Sequence, residues 1–168
     1  MSEFFGKYRG TVIDNVDPMQ MGRLMVLVPD ASNVLPSTWA MPCFPFGGIQ
    51  AGMFAVPAVG SGVWIEFEQG DPDFPIWVGC YWGSAAEVPA LALAGPPEMQ
   101  QVVLQTTGQN TLVISDVPGP TGGILLKSSS GALISISDVG ITISNGQGAT
   151  IVMSGPAVTV NEGALEVI

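Results

Sequence analysis

The sequence predicts an all-β protein in two parts, and three observations support this fold class. Apolar segments of about five residues recur along the chain, and such short alternating segments favour strands over helices. The 22 glycines and 14 prolines separate these segments in the way that turn residues do. All four Trp and both Tyr lie in residues 1–84, whereas residues 101–168 contain no aromatic side chain. We therefore expect an N-terminal domain over 1–84, a linker over 85–100 and a C-terminal domain over 101–168.

The N-terminal part is predicted to form β-hairpins. The five predicted strands are residues 6–14, 22–30, 53–57, 62–70 and 75–83. Asp17-Pro18 predicts the turn of the first hairpin, and the DPDF sequence at residues 71–74 predicts the turn of the second. Five short strands with glycine-marked bends favour a small barrel of the OB type. Residues 33–52, which are rich in proline, are expected to form a long surface loop.

The C-terminal part repeats. Glycines recur at 131, 140, 148, 155 and 163, and each interval holds one short strand. A repeat of this length predicts a β-helix or β-prism. We expect its core to contain the alternating apolar side chains, which are Ile134, Ile136, Ile141, Ile143, Ile151, Met153, Val158 and Val160. One such unit cannot bury its apolar side chains alone, so they must pack on other units.

Composition excludes several functions. Only 11% of the residues are charged, less than half the usual fraction, which indicates that much of the surface is hidden in an assembly. Four basic residues and a net charge of −10 cannot form a groove for nucleic-acid phosphates. No apolar run has the length of a membrane-spanning helix. The sequence contains no histidine, which excludes histidine-dependent triads and metal sites within it, and we expect no catalytic site, metal or cofactor.

The acidic residues of the N-terminal part have two possible interpretations. Glu66 and Glu68 alternate along a predicted strand, as the two carboxylates of a glycosidase would, but outward-facing acids on a barrel strand explain them better. Asp71 and Asp73 are best explained as turn residues, with cation binding as the alternative. We expect Arg23 to pair with one of these acids across the barrel.

The tryptophans and cysteines also have two possible interpretations. The four Trp are expected to fill the barrel and its contacts with other subunits, and a sugar-binding platform is the alternative. Cys43 and Cys80 are expected to be buried thiols, with a disulfide or a shared metal as the alternative.

The N-terminal segment resembles a known family. The sequence GRLMVLVPD, followed later by VWIEFEQGDPDFPIWVGCYWG, is similar to the OB-fold domain of contractile-phage baseplate spike proteins, the baseplate assembly protein V family. The resemblance covers residues 5–83, and the C-terminal repeats are similar to the β-helical needle of those spikes. The positions that carry the motif or its structure are Gly22, Arg23, Pro29, Trp39, Pro42, Trp64, Glu66, Gly70, Asp71, Pro72, Asp73, Pro75, Gly79, Cys80 and Trp82.

The resemblance implies a structural protein. Members of the family are homotrimers of three interwound chains, so strands of neighbouring chains are expected to pair above and below each other and remove the sheet edges. The length leaves no room for a hub domain or a lysozyme domain, so the hub is expected to be a separate protein at the OB end. Without histidine for an iron-bound tip, a PAAR-type tip protein is expected at the C-terminal end.

The implied function is that of a puncturing needle, with transient contact to the target membrane. Because the N-terminus lacks an apolar signal core, we expect assembly in the cytoplasm and then incorporation into a virion or a phage tail-like injection particle. The competing hypothesis is an adhesin-like OB module that binds carbohydrate or protein and stands on a β-stalk. It predicts ligand binding through the loops that carry tryptophan.

Overall fold

Fifteen strands and one short α-helix, α1 (Pro29–Ser32), account for most of the regular structure in the computed structural model, which describes residues 3–32 and 36–167. The strands are β1 (Tyr8–Asp14), β2 (Met25–Leu27), β3 (Met41–Pro42), β4 (Gly47–Gly48), β5 (Ala51–Gly52), β6 (Gly62–Phe67), β7 (Pro75–Tyr81), β8 (Gln101–Gln105), β9 (Thr111–Ser115), β10 (Gly123–Lys127), β11 (Leu133–Ser137), β12 (Gly140–Ser144), β13 (Thr150–Ser154), β14 (Ala157–Val160) and β15 (Leu165–Val167). The prediction of an all-β protein is confirmed. The chain divides into two compact units, Met1–Glu87 and Val88–Ile168.

The N-terminal unit is a closed barrel of the OB type, as predicted. Its sheet has the order β2-β1-β6-β7-β3, and all neighbours are antiparallel except β3 and β7, which are parallel. Two isolated bridges, Leu24 to Ala40 and Leu27 to Pro36, join the two edges of this sheet and close it. The barrel interior is apolar because strand residues alternate between core and solvent. It contains Val12, Leu24, Val26, Val28, Ala40, Val63, Ile65, Phe67 and Trp77.

The fifth barrel strand differs from the prediction. Residues 53–57 form no strand, and the carbonyl of Pro57 instead accepts a hydrogen bond from the Asn15 side chain. The barrel is closed by residues 36–42, part of the segment predicted to be a surface loop. Backbone hydrogen bonds run both ways between Leu24 and Ala40, and the small side chain of Ala40 fits the core with no exposed surface. Residues 33–35 of that predicted loop lie outside the described residues.

The C-terminal unit contains one eight-stranded antiparallel sheet in which strands β8 to β15 follow each other in chain order. Every strand therefore pairs with its neighbours in the same chain, and the expectation that strands of different chains alternate in the stack is not met. The reason is turn length. Only residues 138–139 separate β11 from β12, and only residues 155–156 separate β13 from β14. Two-residue connections can join only adjacent antiparallel strands.

The segment predicted to be a linker contains two short 3-10 helices, Ala85–Glu87 and Ala90–Leu93. The first lies in the N-terminal unit, where the Glu87 carboxylate accepts a hydrogen bond from the Gly83 amide. The second lies in the C-terminal unit next to β8. No helix within the described residues is long and apolar enough to cross a bilayer.

Candidate interaction surfaces

One side of the C-terminal sheet is entirely apolar over its two central ladders of side chains. Residues directly opposite each other on paired strands lie on the same face, so the strand register defines these ladders. We call this surface the apolar face. One ladder is Val102, Ile114, Ile124, Ile136, Ile141, Met153 and Val158. The other is Leu104, Leu112, Leu126, Ile134, Ile143, Ile151, Val160 and Leu165.

The apolar face is open in a single chain. Leu104, at one end of its ladder, is 54% exposed, and Leu126 and Ile136, in the middle of theirs, are 46% and 42% exposed. A shallow depression of about 570 Å³ runs across the face between Leu104 and Ile143. A continuous apolar surface of this kind marks a site of association, because soluble monomers rarely expose one.

The opposite side of the sheet has a different chemistry. In β11 to β14 its central side chains are Ser135, Thr142, Val152 and Thr159, which form one cross-strand ladder. These small side chains carry no charge, and three of them have hydroxyl groups. From β11 to β14 the sheet is therefore two-faced, with one side suited to a dry interface and the other to water. In β8 to β10 the same ladder continues with apolar side chains, Leu125, Val113 and Val103.

Side-chain hydrogen bonds link successive turns along the borders of the sheet. Asn110 Oδ1 accepts from the Ser129 amide at 3.1 Å, and Asn161 Oδ1 accepts from the Thr150 amide at 3.0 Å. On the other border, Asp138 Oδ2 accepts from the Gly119 amide at 3.0 Å. These bonds satisfy backbone donors that the strand ladders leave free at the turns, and they fix the strand register.

Asp17 organises the turn between β1 and β2 in the barrel unit. Its carboxylate accepts hydrogen bonds from the amides of Met19, Met21 and Arg23 and from Nε and Nη2 of Arg23, the last at 2.7 Å. The side chain is only 3% exposed. The hydrogen bond from the Arg23 guanidinium is the main reason that the pKa of Asp17 lies well below its usual range, with the three amides adding to it.

Arg23 therefore pairs with Asp17, and the expected pairing with an acid of residues 66–73 is wrong. The two residues share one turn, which brings them together without any long-range contact. The Arg23 guanidinium also lies over the Trp39 ring, 5.5 Å from its centroid. Gly22, next to Arg23, accepts a hydrogen bond from the Trp77 indole at 3.0 Å, which ties the turn to the barrel core.

An exposed apolar patch lies beside this turn. Phe54 packs on Phe44, and Phe44 packs edge-to-face on the buried Trp77, so three rings lead from the core to the surface. A Cβ on Gly22 would lie 3.1 Å from both Phe44 and Phe54, which places the turn against these rings. We call the exposed side chains of this turn and of the adjoining loop the N-terminal patch. They are Met19, Met21, Phe46, Ile49, Met53 and Phe54.

The tryptophans divide between core and surface. Trp77 fills the barrel, as expected. Trp64 lies outside it beside Tyr81, and the Arg9 guanidinium covers both rings at 5.7 and 5.6 Å from their centroids. This arginine occupies the ring faces that a sugar would use. Trp82, which is 61% exposed, directly follows β7.

The acidic motif residues lie at the end of β6 and in the turn that follows it. Glu66 is paired with Lys7 on the outside of the barrel, and Glu68 lies just past the end of β6. Asp71 Oδ1 accepts from the Asp73 amide, which closes the turn into β7. The described residues contain no group of three or more acidic or cysteine side chains placed to hold a metal ion.

Other motif positions shape the backbone. Gly70 is buried and has φ of +80°, with the Phe5 ring against it, so a side chain there would be strained. Pro72 lies in the turn before β7, and Pro75, which is fully buried, begins that strand. Pro42 ends β3. The remaining positions are Pro29, which begins α1, and Gly79, which lies in β7.

The expectation that both cysteines are buried is wrong. Cys43 and Cys80 are free and exposed. Cys43 lies just past the end of the short strand β3, and Cys80 lies beyond the irregularity in the pairing of β6 and β7, so neither side chain is held inside the barrel. Partial burial still raises the pKa of the Cys80 thiol.

Sequence reasoning missed two sets of residues. The predicted core of the C-terminal part began at Ile134, whereas the apolar face begins at Val102. Residues 102–104 and 124–126 show the same alternation of side chains and could have been included in the prediction. Asp17 was read only as a turn residue. Arg23 follows Asp17 by only six positions in the sequence, on the other side of the same predicted turn, and this short separation could have predicted their pairing.

Comparison with known families gives two matches. Residues 8–82 match the model of the type VI secretion system/phage-baseplate injector OB domain. Residues 101–166 match the model of the phage baseplate V C-terminal trimerisation domain. The chain belongs to the phage baseplate V spike family. A search among curated proteins found no significant match.

Membership in the spike family gives both surfaces a context. The trimerisation match spans β8 to β14 and part of β15, and so it contains the whole apolar face. The injector match spans the barrel strands and the N-terminal patch. Both descriptions are those of structural baseplate parts, which supports a homotrimer and a role in a phage or type VI baseplate injector.

Proposed function

We propose that this chain is the central spike of a contractile injection machine, which joins the hub of the inner tube to a tip protein and pierces the target envelope. The observation that carries the proposal is the two-faced C-terminal sheet within a segment that matches a trimerisation domain. A single chain leaves its apolar face open to water. Three copies arranged about one axis cover all three apolar faces at once and place the opposite sides outward, which are rich in hydroxyl groups from β11 to β14.

This arrangement makes a needle from residues 101–168. Eight strands stacked at a spacing of ~4.8 Å give a column about 34 Å long. Within each chain, only β8 and β15 pair on one side alone, so the end formed by β15 offers unpaired backbone groups. A PAAR-type tip protein seated there would satisfy them and protect the end from aggregation.

The hub contact is proposed to use the N-terminal patch. Residues 31–65 contain no charged side chain, although the chain carries a net charge of −10. Phe46 is 63% exposed and Phe54 is 67% exposed within this stretch. The Asp17 turn and the stacked rings hold the patch in place, so little side-chain entropy would be lost on docking. These features are typical of a lasting contact with a protein.

Light scattering after size exclusion tests the trimer on which the proposal rests. We expect a mass near three times 17.4 kDa for the purified chain. A soluble monomer would remove the physical basis of the needle, because the apolar face would then have to be stable in water.

A pull-down tests the hub contact. Phe54→Ser should abolish capture of the hub protein encoded near this chain, and Phe74→Ser should not. Phe74→Ser is the matched control, because Phe74 is also largely exposed, at 59%, but lies in the turn before β7 and outside the N-terminal patch. Equal capture by both variants would place the hub contact elsewhere.

The genomic context separates the spike from an adhesin-like module. A spike gene should lie beside genes for a sheath, a tube, a hub and a PAAR protein. Assembly is proposed to occur in the cytoplasm, before the finished particle contacts the target membrane. A chain with none of these neighbours that binds a carbohydrate through its tryptophan-bearing loops would support the adhesin instead.

A further inference from the structure

The symmetry of a three-chain needle decides which parts of neighbouring chains meet, and the inference below rests on the trimer of the proposed function. Each sheet has two borders formed by its turns. The first border contains residues 116–122 and 138–139, and the second contains residues 106–110 and 128–132. When identical sheets surround a rotation axis with the same face inward, the first border of each chain meets the second border of the next.

The apolar face alone does not fix the height at which the chains meet. Its ladders repeat a similar apolar residue at every strand, about every 4.8 Å. A neighbour displaced by one strand would still bury Leu, Ile and Val against Leu, Ile and Val. Sparse polar or charged residues select one register among such similar packings in other repetitive assemblies.

Lys127 is the single cation of residues 88–168, and it ends β10 at the second border. The described residues contain two ion pairs, Lys7 with Glu66 and Arg23 with Asp17, and neither involves Lys127. Its ammonium stands on a flexible stem beside a turn of small residues, Ser128–Gly131. Among residues 3–32 and 36–167, no acidic side chain pairs with it.

Asp116 is the matching anion on the first border. It directly follows β9, the strand that pairs with β10, so its height differs from that of Lys127 by about one strand spacing, ~4.8 Å. It is exposed, and its carboxylate makes no hydrogen bond or ion pair with other described residues. Asp138, higher on the same border, already accepts a hydrogen bond from Gly119. Glu162 lies on the same border as Lys127 and so cannot face it across a corner.

We propose that Lys127 of each chain pairs with Asp116 of the next copy at the three corners of the needle. The surface is therefore a specific chain-to-chain contact, and its partner is a second copy of the same chain. Because the two charged groups already differ in height by about one strand spacing, ~4.8 Å, moving one chain by one strand doubles that offset at one of its corners and removes it at the other, while the apolar burial stays nearly unchanged.

Charge reversal tests the pairing in the full chain. We expect Lys127→Glu and Asp116→Lys each to speed dissociation of the trimer in SDS at a fixed temperature by about tenfold, the combined effect of three exposed ion pairs of ordinary strength. The double variant Lys127→Glu/Asp116→Lys restores opposite charges at every corner and should dissociate at a rate close to the original one. The effect of each single reversal should shrink in 1 M salt, because ions screen exposed charges.

Two controls separate the possible failures. Glu68→Lys makes the same change of net charge as Asp116→Lys at an exposed position of the barrel unit, which is part of neither border of the C-terminal sheet, and it should leave the rate unchanged. Lys127→Gln and Asp116→Asn give milder versions if a reversal prevents folding. A trimer whose dissociation is unaffected by both reversals, or is not restored in the double variant, overturns the pairing but not the spike. An original chain that is monomeric by light scattering overturns both.

Discussion

At the scale of the residue, one carboxylate organises much of the barrel surface. The Asp17 carboxylate accepts five hydrogen bonds from every second residue of its own turn, Met19, Met21 and Arg23. These bonds hold the side chains of Met19 and Met21 at the surface. Removal of this acceptor would leave several donors in the turn without a partner, because the side chain is nearly inaccessible to water. The turn also supports the Trp77 indole through Gly22.

The substitution Asp17→Asn should therefore lower the melting temperature of the barrel unit by several degrees. An amide can accept from some of the same donors, but it loses the charge that binds Arg23 and brings two donors of its own into the cluster. Glu68→Gln is the matched control, since it removes one negative charge from an exposed side chain that makes no hydrogen bond or ion pair with a described residue. Thermal unfolding followed by tryptophan fluorescence should separate the two, and equal midpoints would contradict the role of Asp17.

The same carboxylate predicts how stability depends on pH. The folded pKa of Asp17 lies below that of an unfolded aspartate, mainly because of the Arg23 hydrogen bond, so folding favours the ionised form. Its contribution is fully present above the unfolded pKa of about 3.9 and is lost as pH falls towards the folded pKa. We expect the barrel of the original chain to lose more stability between about pH 5 and pH 2 than that of Asp17→Asn. Parallel curves for the two proteins would exclude this linkage.

At the scale of the element, the sequence predicted strands better than it predicted their partners. The alternation of Ile134 with Ile136 and of Ile141 with Ile143 correctly located β11 and β12. An alternating pattern reports which side chains share a face, but it does not report which strand lies alongside. The two-residue turns carried that information, and they require pairing within one chain.

In the barrel, too, the sequence pattern did not identify which segment pairs with which strand. Residues 53–57 are apolar enough for a strand, yet the barrel is closed by Ala40 and its neighbours, in a stretch interrupted by proline. Proline at 36 and 42 is tolerated there because the closing segment forms only isolated bridges and a two-residue ladder. The motif residues around Asp71 were identifiable from the sequence as a turn, whereas the N-terminal patch depends on tertiary packing against Gly22 and Trp77.

Two glycines of the C-terminal sheet should differ in their tolerance of alanine. Gly140 begins β12 with φ of +142°, and a Cβ there would overlap the carbonyl oxygen of Met153 on the paired strand. Gly148 also has positive φ, +103°, but no atom lies within 4 Å of its added Cβ. We expect Gly140→Ala to cost at least ~2 kcal/mol more than Gly148→Ala, because overlap is added to the same kind of backbone strain. Chemical unfolding of the two variants gives this difference, and equal stabilities would contradict the tight pairing of β12 and β13.

At the scale of the whole molecule, the two faces of the sheet should respond oppositely to charge. Ile143 and Thr142 are neighbours on β12, but only Ile143 belongs to the apolar face. Ile143→Asp should convert the trimer into monomers or aggregates, since three carboxylates would be buried about one axis without partners. Thr142→Asp adds the same charge to the outward side of the sheet, and we expect this variant to remain a trimer by light scattering. A trimeric Ile143→Asp variant would place the interface on another surface.

The trimer should also resist unfolding for kinetic reasons. Each chain contributes eight sequentially paired strands, and the apolar faces of three chains must separate before any one of them is wetted, so the barrier contains most of the interface. We expect the chain to migrate as a trimer in SDS until it is boiled, and its apparent melting temperature to rise with the heating rate. A chain that runs as a monomer in unheated SDS and melts reversibly at one temperature, whatever the rate, would show that the sheets do not protect one another. A needle of that kind would yield under the force of a contracting sheath, so the result would count against piercing as well as against kinetic stability.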